Sequence, residues 1–332
     1  MAFNCGRRHA AGLIIISAVI SLFCVVGAPV CTSEAMQPPV LLIHGYQPVP
    51  GYTPKQLWQT LAESLSGDTV DNTQKIPLED DHSLFYLPAA DSGYRDVFIS
   101  DYGWDYEPTA RDIRLYSVRV ADEIAWITDA LKREHVDVVA HSMGGLIARA
   151  YIEADDFLPV LGEDGFTDYG VFYREDVRVL VTLATPHQGI GYAAYGDWLG
   201  PAVRQMSPDS EFLRLLNSKD RTNDKNSSLH AGVIYVTFAG QSCLGCRIRG
   251  SEEACLHDCV AEARRWAGSD GVVPMASARL TGVDNHACVS IEHTGMRAHP
   301  AICAAVVATL NGRYVPEFIY TSADLRYDEA QL

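Results

Sequence analysis

The run Val136-Asp137-Val138-Val139-Ala140-His141-Ser142-Met143-Gly144-Gly145-Leu146-Ile147 decides the fold. Its first part suits a buried strand. Its last part suits an amphipathic helix, and a serine between small residues joins the two. Strand, sharp turn and helix in that order expose a serine hydroxyl above the strand end and aim the helix N-terminus at it. The strained turn needs small residues two positions before and after the serine. Gly144 and Ala140 meet that need, although glycine is commonest at the position of Ala140. A five-residue serine motif alone is a weak signal, and a Gly-rich turn without chemistry is its bland reading. The strand before it and the helix after it point to Ser142 as a nucleophile.

Outward from this elbow the pattern repeats. Apolar runs recur at Val40–Ile43, Val97–Ser100, Val136–Ala140, Val177–Leu183, Val233–Phe238 and Ala287–Ile291. Their β-branched content and nearly unbroken hydrophobicity suit strands covered on both faces, as in a parallel sheet. Helical periodicity appears between them at Pro54–Leu65, Ala110–Glu134, Met143–Glu153 and Pro300–Leu310. Alternating strand and helix predicts a doubly wound three-layer α/β sandwich with a mostly parallel sheet of about six strands. Two stretches break the alternation and read as insertions, a cap at residues 190–230 and a cysteine-rich segment at 240–269. The compact domain is expected over 36–312, with an uninformative tail at 313–332.

The elbow resembles that of bacterial triacylglycerol lipases and GPI inositol-deacylase-like lipases. Val40-Leu41-Leu42-Ile43-His44-Gly45-Tyr46 resembles their first core strand and oxyanion loop. Leu183-Ala184-Thr185-Pro186-His187-Gln188-Gly189 resembles the segment after their sixth strand, and Gln205–Leu213 a cap-region motif. Ser269-Asp270-Gly271-Val272-Val273-Pro274 resembles the acid loop, and Glu292-His293-Thr294-Gly295-Met296 the histidine loop. The resemblance spans residues 38–311 in family order. It implies an α/β-hydrolase fold and a Ser-His-Asp triad, and says much less about substrate.

A serine hydroxyl needs a base, and the base needs a carboxylate to hold its tautomer. In this fold the chain order is serine, acid, histidine. Asp270 and His293 satisfy it, each beyond a predicted strand end, on the sheet edge where open α/β sheets place their sites. His44, His187, His286 and His299 are rivals for the base. His141 adjoins the nucleophile and is expected to point elsewhere. Asp258 and Asp284 are rivals for the acid, and a plain Asp-Gly turn is the bland reading of Asp270. The oxyanion hole needs two aimed donors. These are expected to be the backbone N–H of Met143, directly after the nucleophile, and that of Tyr46. No metal or organic cofactor is required.

The cap carries Tyr192, Tyr195, Trp198, Leu199, Met206, Phe212, Leu213 and Leu216. An apolar underside facing a lipid interface and simple packing onto the core are equally good readings. Asn226-Ser227-Ser228 is a weak glycosylation sequon.

Of nine cysteines, Cys243, Cys246, Cys255, Cys259, Cys288 and Cys303 lie beyond the N-terminal segment. The first four have near-zinc spacing, but in an exported chain disulfides are the better expectation. A Cys288–Cys303 bridge, worth about 3 kcal/mol in the entropy model, would tether the histidine loop to the last helix. Two buried free thiols are the alternative.

Arg7 and Arg8, an uncharged apolar stretch from Ala10 to Ala28, and Ser33-Glu34-Ala35 have the layout of a secretory signal ending at residue 35. The same stretch, residues 10–28, is just long enough to be a retained anchor. The 332-residue chain carries a net charge of −16, which argues against nucleic-acid partners and suits a neutral ester or lipid substrate. A secreted or periplasmic monomer hydrolysing carboxylic esters is the expectation. A lipid deacylase, acyltransferase or amidase with the same triad is the first alternative. A non-catalytic hydrolase-like binding protein is the second.

Overall fold

β1 (Val40–Ile43) is four aliphatic residues without a polar break, and all four are fully buried. It lies inside a nine-stranded sheet. The computed structural model describes residues 37–46, 53–78, 82–102, 112–153, 160–162, 165–167, 172–191, 193, 200–218, 229–243 and 260–321. The other strands are β2 (Gln74–Pro77), β3 (Ser83–Leu87), β4 (Val97–Asp101), β5 (Val136–His141), β6 (Val160–Gly162), β7 (Gly165–Thr167), β8 (Val177–Leu183), β9 (Ile234–Gln241), β10 (Asp284–Val289) and β11 (Phe318–Tyr320). The order across the sheet is β11-β10-β9-β8-β5-β1-β4-β3-β2, with β6 and β7 forming a separate antiparallel pair. From β4 to β11 every pairing is parallel; β3 and β2 close one edge as an antiparallel hairpin.

Alternate residues of the central strands feed two separate cores. Val40, Leu42, Val139, Val181 and Leu183 pack on one face with α1 (Pro54–Ser66) and the last helix. Leu41, Ile43, Val138, Ala140 and Leu180 pack on the other with α2 (Ile113–Leu131) and α3 (Met143–Ile152). The short helices α4 (Pro201–Gln205) and α5 (Glu211–Leu216) join that second core. α6 (Pro300–Leu310) is the last helix among the described residues. The result is a three-layer sandwich.

Local chemistry explains the helix limits. Thr53 and Gln56 form a reciprocal capping box before α1, and Pro54 fills the first turn where no N–H is needed. Gly67 ends the helix at φ 73°, a left-handed turn glycine adopts without strain. Leu57, Trp58, Leu61 and Leu65 are buried on one face, each worth about 1.5–3 kcal/mol. At the sheet floor, the buried Arg95 donates to the Asp137 carboxylate at 2.6 Å and to Leu310 O at 2.8 Å. It ties the start of β5 to the negative end of α6.

Among the described residues the sheet has nine strands rather than about six. β2 exposes Gln74, Lys75 and Pro77, so no apolar run announces it. β3 is antiparallel to β4 and carries the partly exposed Phe85 and Tyr86. β11 is three residues long, buries only Ile319, and falls within the segment read as a tail. β10 starts at Asp284, not Ala287, because Asp284 and Asn285 pair with β9 despite their polarity. It ends at Val289, where Ser290 turns at φ 68°.

Cys288 on β10 and Cys303 on α6 are free thiols in the same core cluster, so the expected bridge between them is not formed. The Cys303 thiol is instead directed at Arg297 O, 3.7 Å away. Burial pushes both thiols well above their ordinary pKa, Cys303 to about 12, which keeps them protonated and unreactive. Cys243 is also a free thiol; Cys246, Cys255 and Cys259 lie outside the described residues, as do the export segment and the sequon. Among the described residues no helix is long and apolar enough to cross a membrane, and no cluster of histidines, cysteines and carboxylates could hold a metal ion.

Candidate active site

Ser142 sits at the junction of β5 and α3 with φ 56° and ψ −129°, a conformation strained for a residue with a side chain. The turn is possible because its neighbours are small. A Cβ on Gly144 would lie 2.5 Å from His44 O and 2.6 Å from Ile43 O. One on Gly145 would meet Thr185 Oγ1 at 2.1 Å, and one on Gly45 would meet Ser142 Cβ at 2.6 Å. Bare backbone at these three positions lets β1, the elbow and the segment after β8 converge on one point.

The hydroxyl is 7 % exposed as part of its residue and lies 2.9 Å from His293 Nε2. His293 Nδ1 lies 2.8 Å from Asp270 Oδ2. Asp270 is buried, and its other carboxylate oxygen accepts the N–H groups of Val272 and Val273 at 2.9 and 2.7 Å. That pair of bonds fixes the carboxylate plane. The acid loop itself lies over the end of β9, where a Cβ on Gly240 would be 2.8 Å from Asp270 Cβ. His293 N donates to Asp270 O at 3.0 Å, joining the two loops through their main chains. An unbroken chain from hydroxyl to imidazole to carboxylate can take a proton from the serine and stabilise the imidazolium that forms.

Met143 is the first residue of α3, so its N–H is one of the helix's unused donors. Gly45 lies against the elbow, its missing Cβ position 3.2 Å from Met143 N, and Tyr46 follows it. His44 is buried behind this turn, stacked on Tyr102 at 4.4 Å, and its carbonyl accepts the Tyr102 hydroxyl at 2.8 Å. Burial drives the His44 imidazole down to about 4, against the opposing bond to Gly45 O. It is therefore neutral support for the turn.

The rival residues lie elsewhere. His187 is buried behind α3, between Arg149 and Thr182 Oγ1. His286 lies within β10 and meets Pro316 O, and His299 caps α6. Asp284 opens β10 at the opposite sheet edge; Asp258 lies outside the described residues. A cleft of about 680 Å3 lined by Arg178, Ile234, Trp266, Arg279, Tyr314 and their neighbours also sits at that opposite edge and contains none of Ser142, Asp270 and His293.

Two features escape sequence reasoning. His141 does not point away: its ring lies 4.6 Å from that of His293, and its Nε2 is 2.9 Å from His293 O. Arg149, fully buried on α3, makes a bidentate pair with Glu153 at 2.8 and 2.9 Å. It also donates to Asn217 Oδ1 at 3.0 Å and Leu216 O at 3.2 Å at the end of α5. Met206, Phe212, Leu213 and Leu216 pack into the core, so for these four cap residues the packing reading holds. Tyr192, Tyr195, Trp198 and Leu199 lie outside the described residues.

Residues 95–229 match the family described as "Putative serine esterase (DUF676)". None of the curated proteins matches the chain. Among solved structures, the mature form of the Bacillus licheniformis lipase BlEst2 is similar, with a TM-score of 0.50 and 17% identity over 86% of this chain and 96% of that one. Its propeptide form gives a TM-score of 0.52 at 17% identity, over 86% of this chain and 52% of that one. The chain has the α/β-hydrolase fold.

Proposed function

We propose that this protein hydrolyses carboxylic esters of neutral or lipidic substrates through a covalent acyl-enzyme. The observation that carries the reading is the hydrogen-bonded chain Ser142–His293–Asp270 at a strained elbow. The family described as a serine esterase over residues 95–229 and the lipase whose fold this chain shares support it.

In the proposed reaction His293 Nε2 takes the Ser142 proton while Oγ attacks the ester carbonyl. The oxygen that becomes negative is received by the N–H groups of Met143 and Tyr46. Collapse of the tetrahedral species breaks the ester C–O bond, and the departing alkoxide takes the proton from His293. Water then attacks the acyl-enzyme with His293 again as base, releasing the acid and restoring Ser142. Asp270 holds Nδ1–H throughout and stabilises the imidazolium. No step calls for a metal or cofactor. An exported location, with residues 1–35 as the signal, belongs to the same proposal, and the net charge of −16 suits a neutral substrate.

The test is a p-nitrophenyl ester series of increasing chain length, with labelling by a fluorophosphonate probe. The wild-type protein should hydrolyse esters and carry the probe on Ser142. Ser142→Ala should lose the label and lose kcat by roughly 10^4-fold or more, with its unfolding midpoint little changed. Retained hydrolysis in that variant sinks the assignment. The chain-length profile, with and without a lipid interface, separates esterase from lipase.

A further inference from the structure

His141 occupies the last position of β5, 3 % exposed, with its imidazole beside the His293 ring at an interplanar angle of 47°. Its Nε2 faces the His293 carbonyl oxygen at 2.9 Å. A carbonyl only accepts, so Nε2 carries the hydrogen and His141 is the donor. Burial, then the nearby cationic forms of His293, Arg297 and His44, hold this imidazole well below its usual pKa, so it stays neutral. His293 is thereby gripped four times. Its N–H donates to Asp270 O, its carbonyl accepts from His141, and its two ring nitrogens meet Asp270 and Ser142. Three of these bonds come from the acid loop and the serine. The fourth comes from the residue preceding the nucleophile, so one short stretch of chain carries both the hydroxyl and a clamp on its base.

We infer that His141 is a positioning residue that registers the His293 loop against the elbow, without itself exchanging a proton. The inference rests on the function proposed above. Removing the donor leaves a buried carbonyl unpaired or lets the loop shift, and a shift of about 1 Å in the base costs up to 10^2-fold in rate. The groups that titrate or carry charge around His141 are His293 and Arg297 from the loop and His44 from the turn after β1.

The experiment uses the full chain and two variants. His141→Phe keeps a ring without a donor, and His141→Gln keeps a donor without a ring. We expect His141→Phe to lower kcat 10- to 100-fold with KM within about twofold, and to slow fluorophosphonate labelling of Ser142 in parallel. His141→Gln should recover most of the loss. Wild-type kcat in His141→Phe, or equal losses in both variants, would overturn the positioning role. If instead the wild-type protein hydrolyses no ester and takes no label on Ser142, the proposed function has failed, and the inference with it. A labelled, active wild type beside an unimpaired His141→Phe isolates failure of the inference alone.

Discussion

Glu123 lies on α2 with its side chain wholly buried against the sheet, and its Oε1 accepts the Ser100 hydroxyl at 2.8 Å. Burial raises its pKa from 4.5 to about 8, against the Ser100 bond that favours the charged form. Asp101 and Asp122 add to the rise, and Arg119 opposes it. The carboxyl is therefore protonated in the folded protein at neutral pH. The unfolded chain gives up this proton near pH 4.5, while the fold releases it only near 8. Between those values rising pH stabilises the unfolded chain alone, so the fold loses stability across that window and the full loss is reached above pH 8. At about 1.4 kcal/mol per tenfold, the loss is about 3 kcal/mol at pH 7 and about 5 kcal/mol at pH 9. Glu123→Gln keeps an acceptor for Ser100 and cannot ionise. Urea unfolding of both proteins from pH 5 to pH 9 measures the effect, since every other titrating group cancels in the difference. The variant should gain on the wild type by roughly 3–5 kcal/mol across the range. Parallel curves would show that Glu123 ionises as readily in the fold as outside it. A variant that loses ground with rising pH would reverse the sign of the argument.

Three further outcomes are expected. Asp270→Asn should lower kcat by on the order of 10^4-fold while leaving the fold intact, because the amide cannot hold the same imidazole tautomer; steady-state ester kinetics read this directly. Arg149→Met removes the cation facing the buried Glu153 carboxylate and should cost about 3–5 kcal/mol in a urea titration, whereas the double variant Arg149→Met with Glu153→Leu should recover much of it. Alkylation under native conditions should spare Cys288 and Cys303, and in guanidine without reductant should modify both; mass spectra in which reductant is needed first would mean that the two thiols are bridged in solution.

What the sequence discloses depends on how a residue is buried. β1, β5 and β8 are covered on both faces, so their apolar runs are long and nearly unbroken, interrupted only by Asp137 and His141 in β5 and by Arg178 and Thr182 in β8, and they are legible. β2 is a solvent-facing edge whose register is set by its partner β3, and nothing in Gln74-Lys75-Ile76-Pro77 announces it. The order of Ser142, Asp270 and His293 could be read because chain order in this fold mirrors strand order. Contacts of His141 could not, because they depend on a carbonyl 152 positions away. Arg149 reads as an ordinary helix cation, and only the folded chain reveals that α5 covers it. Even spacing of Cys288 and Cys303 within a plausible loop did not imply a bond, since pairing depends on where each thiol points.

The buried Arg149 has a consequence for modularity. The segment 201–217 looks like an exchangeable module, a short helical insertion on a common scaffold. Its attachment points are nevertheless spread over the scaffold: Arg149 reaches it from α3, His187 O accepts from Asn217, and Gln205 Oε1 receives the first N–H of α2 at 2.7 Å. A graft that replaced these residues alone would leave sockets without plugs in three separate elements. Recombination or design on this scaffold must therefore move Arg149, Glu153 and His187 together with the insertion, as one unit of inheritance.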